Sequence, residues 1–185
     1  DRSQLKELIN EVDQLISKLL KSFELGNAFK NGFPVAITGN TNVGKSTLLN
    51  RLLKEEKAIV TDIAGTTRDV IEDIINIEGV EFRFIDTAGI RETEEKIEAI
   101  GIERTFDQID KAQIVLLLVD ATQENETVLS TIEKVEERVK GQEKKLLVLL
   151  NKIDQVETEK VLQTLEQAIR EKLRTDDEFL RISAT

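Results

Sequence analysis

The sequence predicts an α/β fold in three layers: a six-stranded, mostly parallel sheet with one antiparallel edge strand, plus an N-terminal helix. Three observations lead there. From Phe33 onward, short β-rich runs alternate with amphipathic helical runs, the pattern of a sheet covered by helices on both faces. Ile114–Asp120 and Lys145–Leu150 are continuously apolar, as strands buried on both faces are. Val70–Ile77 and Val80–Asp86 are separated only by Glu78-Gly79, a hairpin-length connection that makes this pair antiparallel.

The elements follow in order. Residues 1–25 read as one helix, because Leu5, Leu8, Ile9, Val12, Leu15, Ile16, Leu19 and Phe23 recur at spacings of three and four. That stripe fits two readings: it packs on its own domain, or it belongs to a neighbouring helical domain or a dimer seam. Gly26, Asn27, Asn31, Gly32 and Pro34, the single proline, mark the break that follows. Pro34–Thr38 is a short strand and Lys45–Lys54 an amphipathic helix. Lys57–Asp69 is a loop. The hairpin comes next, then a helical stretch Glu94–Ile109 interrupted by Gly101. Glu124–Lys140 and Glu157–Arg174 are charged amphipathic helices flanking the second of the two apolar strands, and Phe179–Ile182 is the last strand. There is no internal repeat. Right-handed crossovers in such a sheet place ligands at the carboxyl ends of the strands.

Composition narrows the chemistry. The 185 residues carry a formal net charge of -10 and contain no His, Cys, Met, Trp or Tyr. Thiol nucleophiles, disulfides, cysteine-ligated metals, histidine bases and Ser-His-Asp triads are therefore excluded. Carboxylate, lysine, hydroxyl and backbone chemistry remain, with oxygen-liganded hard cations allowed. The acidic balance argues against a general grip on nucleic acid. No apolar run approaches a membrane span, and no signal-peptide pattern opens the chain, which makes the cytoplasm the expected location. The missing initiator Met suggests a fragment or a processed chain.

Gly39-Asn40-Thr41-Asn42-Val43-Gly44-Lys45-Ser46 matches G-x-x-x-x-G-K-[ST], directly between a predicted strand and a predicted helix. This is the phosphate-binding loop of P-loop NTPases. Its glycines let successive N–H groups face inward around phosphates, and the helix N-terminus adds its dipole. Gly39, Asn42, Val43, Gly44, Lys45, Ser46 and Thr47 are the phosphate-side candidates. Lys45 reaches the β- and γ-phosphates, and the Ser46 hydroxyl ligates Mg²⁺. Asp86-Thr87-Ala88-Gly89 ends the second hairpin strand. Asp86 is a second Mg²⁺ anchor, and Gly89 lets its N–H approach a γ-phosphate. Asn151-Lys152-Ile153-Asp154 follows the second apolar strand. The Asp154 carboxylate suits a base edge with adjacent N–H donors, which guanine presents and adenine does not. Ser183-Ala184 after the last strand suits an N–H that receives the guanine O6.

The order and spacing of these motifs resemble the Ras-like, translation-factor-related GTPases from Phe33 to the end of the chain. Gly65-Thr66-Thr67-Arg68-Asp69 then fills the first switch, with Thr67 as the Mg²⁺ ligand candidate and Thr66 as an alternative; the bland reading is a Thr-rich loop. A narrower resemblance rests on Ile59–Ile71 (IVTDIAGTTRDVI), Ile85–Thr93 (IDTAGIRET) and Ile97–Arg104 (IEAIGIER). These runs are similar to the MnmE (TrmE) family of tRNA-modification GTPases. The last of them separates this family from Era-like and EngA-like relatives.

The resemblance implies the rest. Residues 1–31 correspond to the tail of a neighbouring helical domain and 32–185 to the GTP-binding domain. The chain stops just after Ser183-Ala184, so the domain's closing helix is expected to be missing. Ile90 stands where Ras-like proteins carry a water-orienting Gln. In MnmE proteins a K⁺ ion stands in for an arginine finger. Its ligands map onto the Asn42 side chain and the carbonyls of Thr61 and Ile63, beside Gly65. The family's water-orienting acid maps onto Glu98, acting through a bridging water. Without the resemblance, Glu98 reads as a solvated helix face and Asn42 as a turn residue. The resemblance also implies a homodimer through the GTP-binding domains, GTP/GDP as nucleotide partners, and Mg²⁺ and K⁺ as cofactors. It implies the flavoprotein MnmG (GidA) as partner and modification of a tRNA wobble uridine by the intact protein, not by this chain alone, with no membrane role. Two alternatives stand: an Era/EngA-like ribosome-assembly GTPase, and a slow nucleotide-gated interaction module.

Overall fold

The computed structural model describes residues 26, 30–57, 73–85, 87, 90 and 106–184. Among these, a six-stranded sheet has the order β2-β3-β1-β4-β5-β6. Its strands are β1 (Phe33–Thr38), β2 (Asp73–Ile77), β3 (Val80–Phe84), β4 (Ile114–Asp120), β5 (Lys145–Asn151) and β6 (Glu178–Arg181). Among the described strands only β2 and β3 pair antiparallel, as the two-residue connection predicts, and β2 is an edge strand. Glu78 and Gly79 carry that turn with φ of 53° and 87°. The Asn76 side chain accepts the Gly79 N–H at 2.9 Å, a local bond that helps set the turn. The expected N-terminal helix over 1–25 lies outside the described residues.

Among the described residues the sheet is flanked by α1 (Lys45–Lys57), α2 (Asn125–Val139) and α3 (Glu159–Lys172), with a 3₁₀ turn at Ile153–Gln155. A further helical stretch covers 106–111. On one sheet face, Val128, Ile132, Val135 and Val139 of α2 and Leu162, Leu165 and Ile169 of α3 pack on Val115, Leu117, Leu146 and Val148. On the other, Leu49 of α1 packs with Val35, Ile37, Ile75, Phe84 and Leu118. Leu117 and Leu118 are both fully buried although they point to opposite faces. That explains why β4 is a continuous apolar run rather than an alternating one.

The bounds differ from expectation by a few residues. β5 runs one residue further, so that Asn151 is the last residue of the strand, in register with Asp120. α1 extends to Lys57, beyond the last apolar residue of its stripe, because backbone hydrogen bonding does not stop where the buried face does. α3 is shorter than its charge pattern suggests. Thr158 is extended at φ -140°, and Leu173 leaves the helix at ψ 147°.

Candidate functional site

The described motifs lie at the carboxyl ends of β1, β5 and β6. β1 ends at Thr38, and the loop turns at once. Gly39 has φ 141°, and a Cβ there would sit 2.2 Å from the Leu118 carbonyl oxygen, so no side chain fits. Asn42 is left-handed at φ 59°, exposed at the loop tip. This backbone state gives Asn a reason to be there that is independent of any cation. Gly44 has φ 101°, and its Cβ would meet the Asn151 Nδ2 at 2.4 Å. α1 then starts, with Leu48 N–H donating to the Gly44 carbonyl at 2.9 Å. No acidic residue stands in its first turn, so its dipole is left for an external anion.

Lys45 lies across this loop. Its Nζ donates to the carbonyls of Gly39 at 2.8 Å and Asn40 at 2.6 Å. Burial pushes its pKa below the ordinary lysine value, a penalty on the charged form that a phosphate would offset. Ser46 Oγ donates to the Ile90 carbonyl at 2.5 Å, which leaves its lone pairs free to meet a hard cation. Val43 is buried and Thr47 exposed. The Asn40 amide reaches Thr131 Oγ1 of α2 at 3.2 Å, bracing the loop from outside.

The second half of the site comes from β5 and β6. Asn151 is 2 % exposed. Its Nδ2 donates to the Val43 carbonyl at 2.8 Å, and its Oδ1 accepts the Ala184 N–H at 3.0 Å. One side-chain amide thus joins the phosphate-side loop to the loop after β6. Asp154 sits in the 3₁₀ turn, and its Oδ1 accepts the Ser183 hydroxyl at 2.7 Å. The carboxylate is therefore oriented before any ligand arrives. The Ala184 N–H is already given to Asn151, so a base oxygen reaching it has to share that donor.

Lys152 is left-handed at φ 61°, and its ammonium bonds Asp120 Oδ2 at 2.6 Å. Asp120 is a site residue that the motifs do not mark. The available signal was an Asp closing an apolar strand, the same signal that marked Asp86.

Asp86, Gly89, Gly65, Thr67, Thr61, Ile63 and Glu98 lie outside the described residues. Among the described residues no cluster of three or more His, Cys, Asp or Glu could hold a metal ion, and no helix is long and apolar enough to cross a membrane. Among the described residues, the Ser46 hydroxyl is the side-chain donor that a hard cation at a bound phosphate would use. The donor set fits that use.

A glycine-cornered loop on a helix N-terminus, tied by one amide to the loop after β6, whose Ser183 orients Asp154, is the arrangement of a P-loop nucleotide-binding domain. The known relatives agree. A family model described as 50S ribosome-binding GTPase matches residues 34–152. The tRNA modification GTPase MnmE of Bacteroides thetaiotaomicron is 59 % identical over 157 residues, covering 85 % of this chain and 33 % of that protein. The MnmE of Bacteroides fragilis is 49 % identical over all 185 residues, 39 % of its length. The crystal structure of Era in complex with MgGDPNP and a 16S ribosomal RNA segment superposes with a TM-score of 0.58 at 34 % identity. It covers 82 % of this chain and 51 % of that one. The chain belongs to the 50S ribosome-binding GTPase family and is a GTPase domain with MnmE proteins among its relatives. It spans between a third and two fifths of the length of those two MnmE proteins.

Proposed function

We propose that this chain is the GTP-hydrolysing domain of an MnmE-type protein, stimulated by K⁺ and active in the cytoplasm. The observation that carries the reading is the Asn151 amide, which fixes a phosphate loop and a guanine-reading loop in one rigid unit. GTP hydrolysis needs positioning and charge neutralisation more than covalent chemistry. The loop N–H groups and Lys45 hold the phosphates, and Asp154 with the loop at Ser183-Ala184 selects guanine. Ser46, with Thr67 and Asp86, would hold Mg²⁺, which would supply positive charge for the phosphates. Asn42 and the carbonyls of Thr61 and Ile63 would hold K⁺, which would supply positive charge beside the phosphates. Gly65 follows Ile63 in the chain, and Gly89 would contribute an N–H toward the γ-phosphate. Glu98 orients the attacking water through a second water. The left-handed, exposed Asn42 supports a loop tip whose side chain faces outward.

In the intact protein, two such domains dimerise, and the protein acts with MnmG (GidA) on the wobble uridine of tRNA. The identity to MnmE proteins supports this. A second reading, an Era-like ribosome-assembly GTPase, is favoured by the family description and the Era superposition. Capture of MnmG by the full-length protein separates the two. The decisive experiment on this chain is GTP turnover in KCl against NaCl at equal ionic strength. Stimulation specific to KCl is expected. Equal, negligible rates in both salts would leave a slow nucleotide-gated module in its place.

A further inference from the structure

We infer that Asp120 is a positioning residue for the nucleoside half of the ligand, holding the Lys152 ammonium where the sugar of the nucleotide crosses the sheet edge. The inference rests on the guanine-nucleotide reading above.

The strand order supplies the geometry. The phosphate loop follows β1 and the base-reading loop follows β5, and β4 lies between them. A nucleotide bound at both ends must therefore lay its sugar over the carboxyl end of β4. Asp120 is the last residue of β4, in register with Asn151 and 5 % exposed.

Both of its carboxylate oxygens are committed. Oδ1 accepts the Thr122 N–H at 2.9 Å and the Thr122 hydroxyl at 2.7 Å, and Oδ2 accepts Lys152 Nζ at 2.6 Å. Burial alone would raise the Asp120 carboxyl, but the bonds from Lys152 and Thr122 outweigh it and hold it below its ordinary value. The Lys152 side chain stays 25 % exposed beside an 8 % exposed partner, so the pair opens toward solvent on the lysine side.

A buried ion pair is a weak source of stability compared with apolar packing. Its use here is to remove freedom. A lysine carries large rotamer entropy, and a ligand that had to order it would bind more weakly. Asp120 orders Lys152 in advance, and the left-handed backbone of Lys152 turns its side chain toward β4 to permit this.

The test is equilibrium binding of a fluorescent GDP by this chain, with GTP turnover and thermal midpoints measured in parallel. Asp120→Asn keeps an acceptor for Thr122 and leaves the lysine charge unpaired. GDP and GTP affinities are expected to fall together by about tenfold, with KM rising and kcat within about twofold. In a Lys152→Met background the same change is expected to have no further effect on affinity, because Asp120 acts through Lys152. Thr122→Ala, which loosens only the turn, is expected to lower the thermal midpoint and spare affinity. Binding by Asp120→Asn within twofold of wild type overturns the inference. So does an undiminished loss in the Lys152→Met background, or a loss in Thr122→Ala equal to that in Asp120→Asn. Wild-type protein that binds no GDP overturns the guanine reading itself, and this inference with it.

Discussion

Gly44 and Asp154 are the single positions on which the proposed affinity and specificity turn. A Cβ at Gly44 would force a left-handed residue with a side chain and push into the Asn151 amide at 2.4 Å. The backbone penalty alone is about 1–2 kcal/mol, and displacing Asn151 leaves a buried carbonyl and N–H without partners. Gly44→Ala is therefore expected to weaken GDP at least ~30-fold in equilibrium titration; affinity near wild type would show that the loop relaxes around the methyl group. Asp154→Asn retains the shape but replaces one acceptor with a donor facing the guanine N–H edge. Relative to xanthosine triphosphate, GTP should lose at least ~100-fold in competition binding. An unchanged preference would refute the guanine assignment. Both residues were legible in the sequence, because fixed spacing after a strand is a one-dimensional signal. Asp120 was not legible in the same way. Its meaning depends on Lys152, 32 positions away, brought to it by the β4–β5 register. The role of Asn151 as a tie to Val43, 108 positions away, was hidden for the same reason.

At the scale of elements, apolar periodicity identified the described strands and helices, and helix ends were the weak point. The end of α3 is set by backbone geometry at Thr158 and Leu173, which no hydrophobic stripe encodes. What fastens α3 to β6 was also invisible in one dimension. Arg181 of β6 forms a two-pronged pair with Glu166 and reaches Glu159 at 2.7 Å, both on α3. The Arg181 bonds hold the Glu166 carboxyl below its ordinary value, against burial. Because the folded carboxyl binds its proton less readily than the unfolded one, the pair contributes stability at neutral pH. That contribution fades as pH falls below ~4.3 and is gone once pH passes the folded pKa. Glu166→Gln should therefore lower the urea midpoint at pH 7, with the gap from wild type closing toward pH 3. A gap that stays constant with pH would assign the loss to packing instead of charge. The last strand carries Ser183 and Ala184 just beyond it, so this fastening also bears on the base-reading loop.

The whole molecule carries a net charge of -10, and a bound nucleotide adds to it. In the proposed site, N–H groups, Lys45 and a helix dipole would meet the phosphates locally. Two such copies brought together face to face do not have that help. Their long-range repulsion extends over about a Debye length, ~8 Å at physiological ionic strength, and any salt weakens it. The proposed dimer through the GTP-binding domains is thus open to a trivial explanation, in which KCl acts as a screen. A cation held by Asn42 and the carbonyls of Thr61 and Ile63 acts differently, because it is selected by the spacing of its oxygen ligands. Sedimentation velocity with a non-hydrolysable GTP analogue and Mg²⁺ distinguishes the two at matched ionic strength. Dimer formation in KCl, with monomer in NaCl and with GDP in either salt, is the expected result. Asn42→Ala should abolish the KCl dimer while leaving analogue binding within a few-fold of wild type, since the backbone N–H groups that hold phosphate are retained. Equal dimerisation in both salts would reduce potassium to a counterion and remove the side chain of Asn42 from the mechanism, leaving its left-handed φ of 59° as the sole reason for an asparagine at that loop tip.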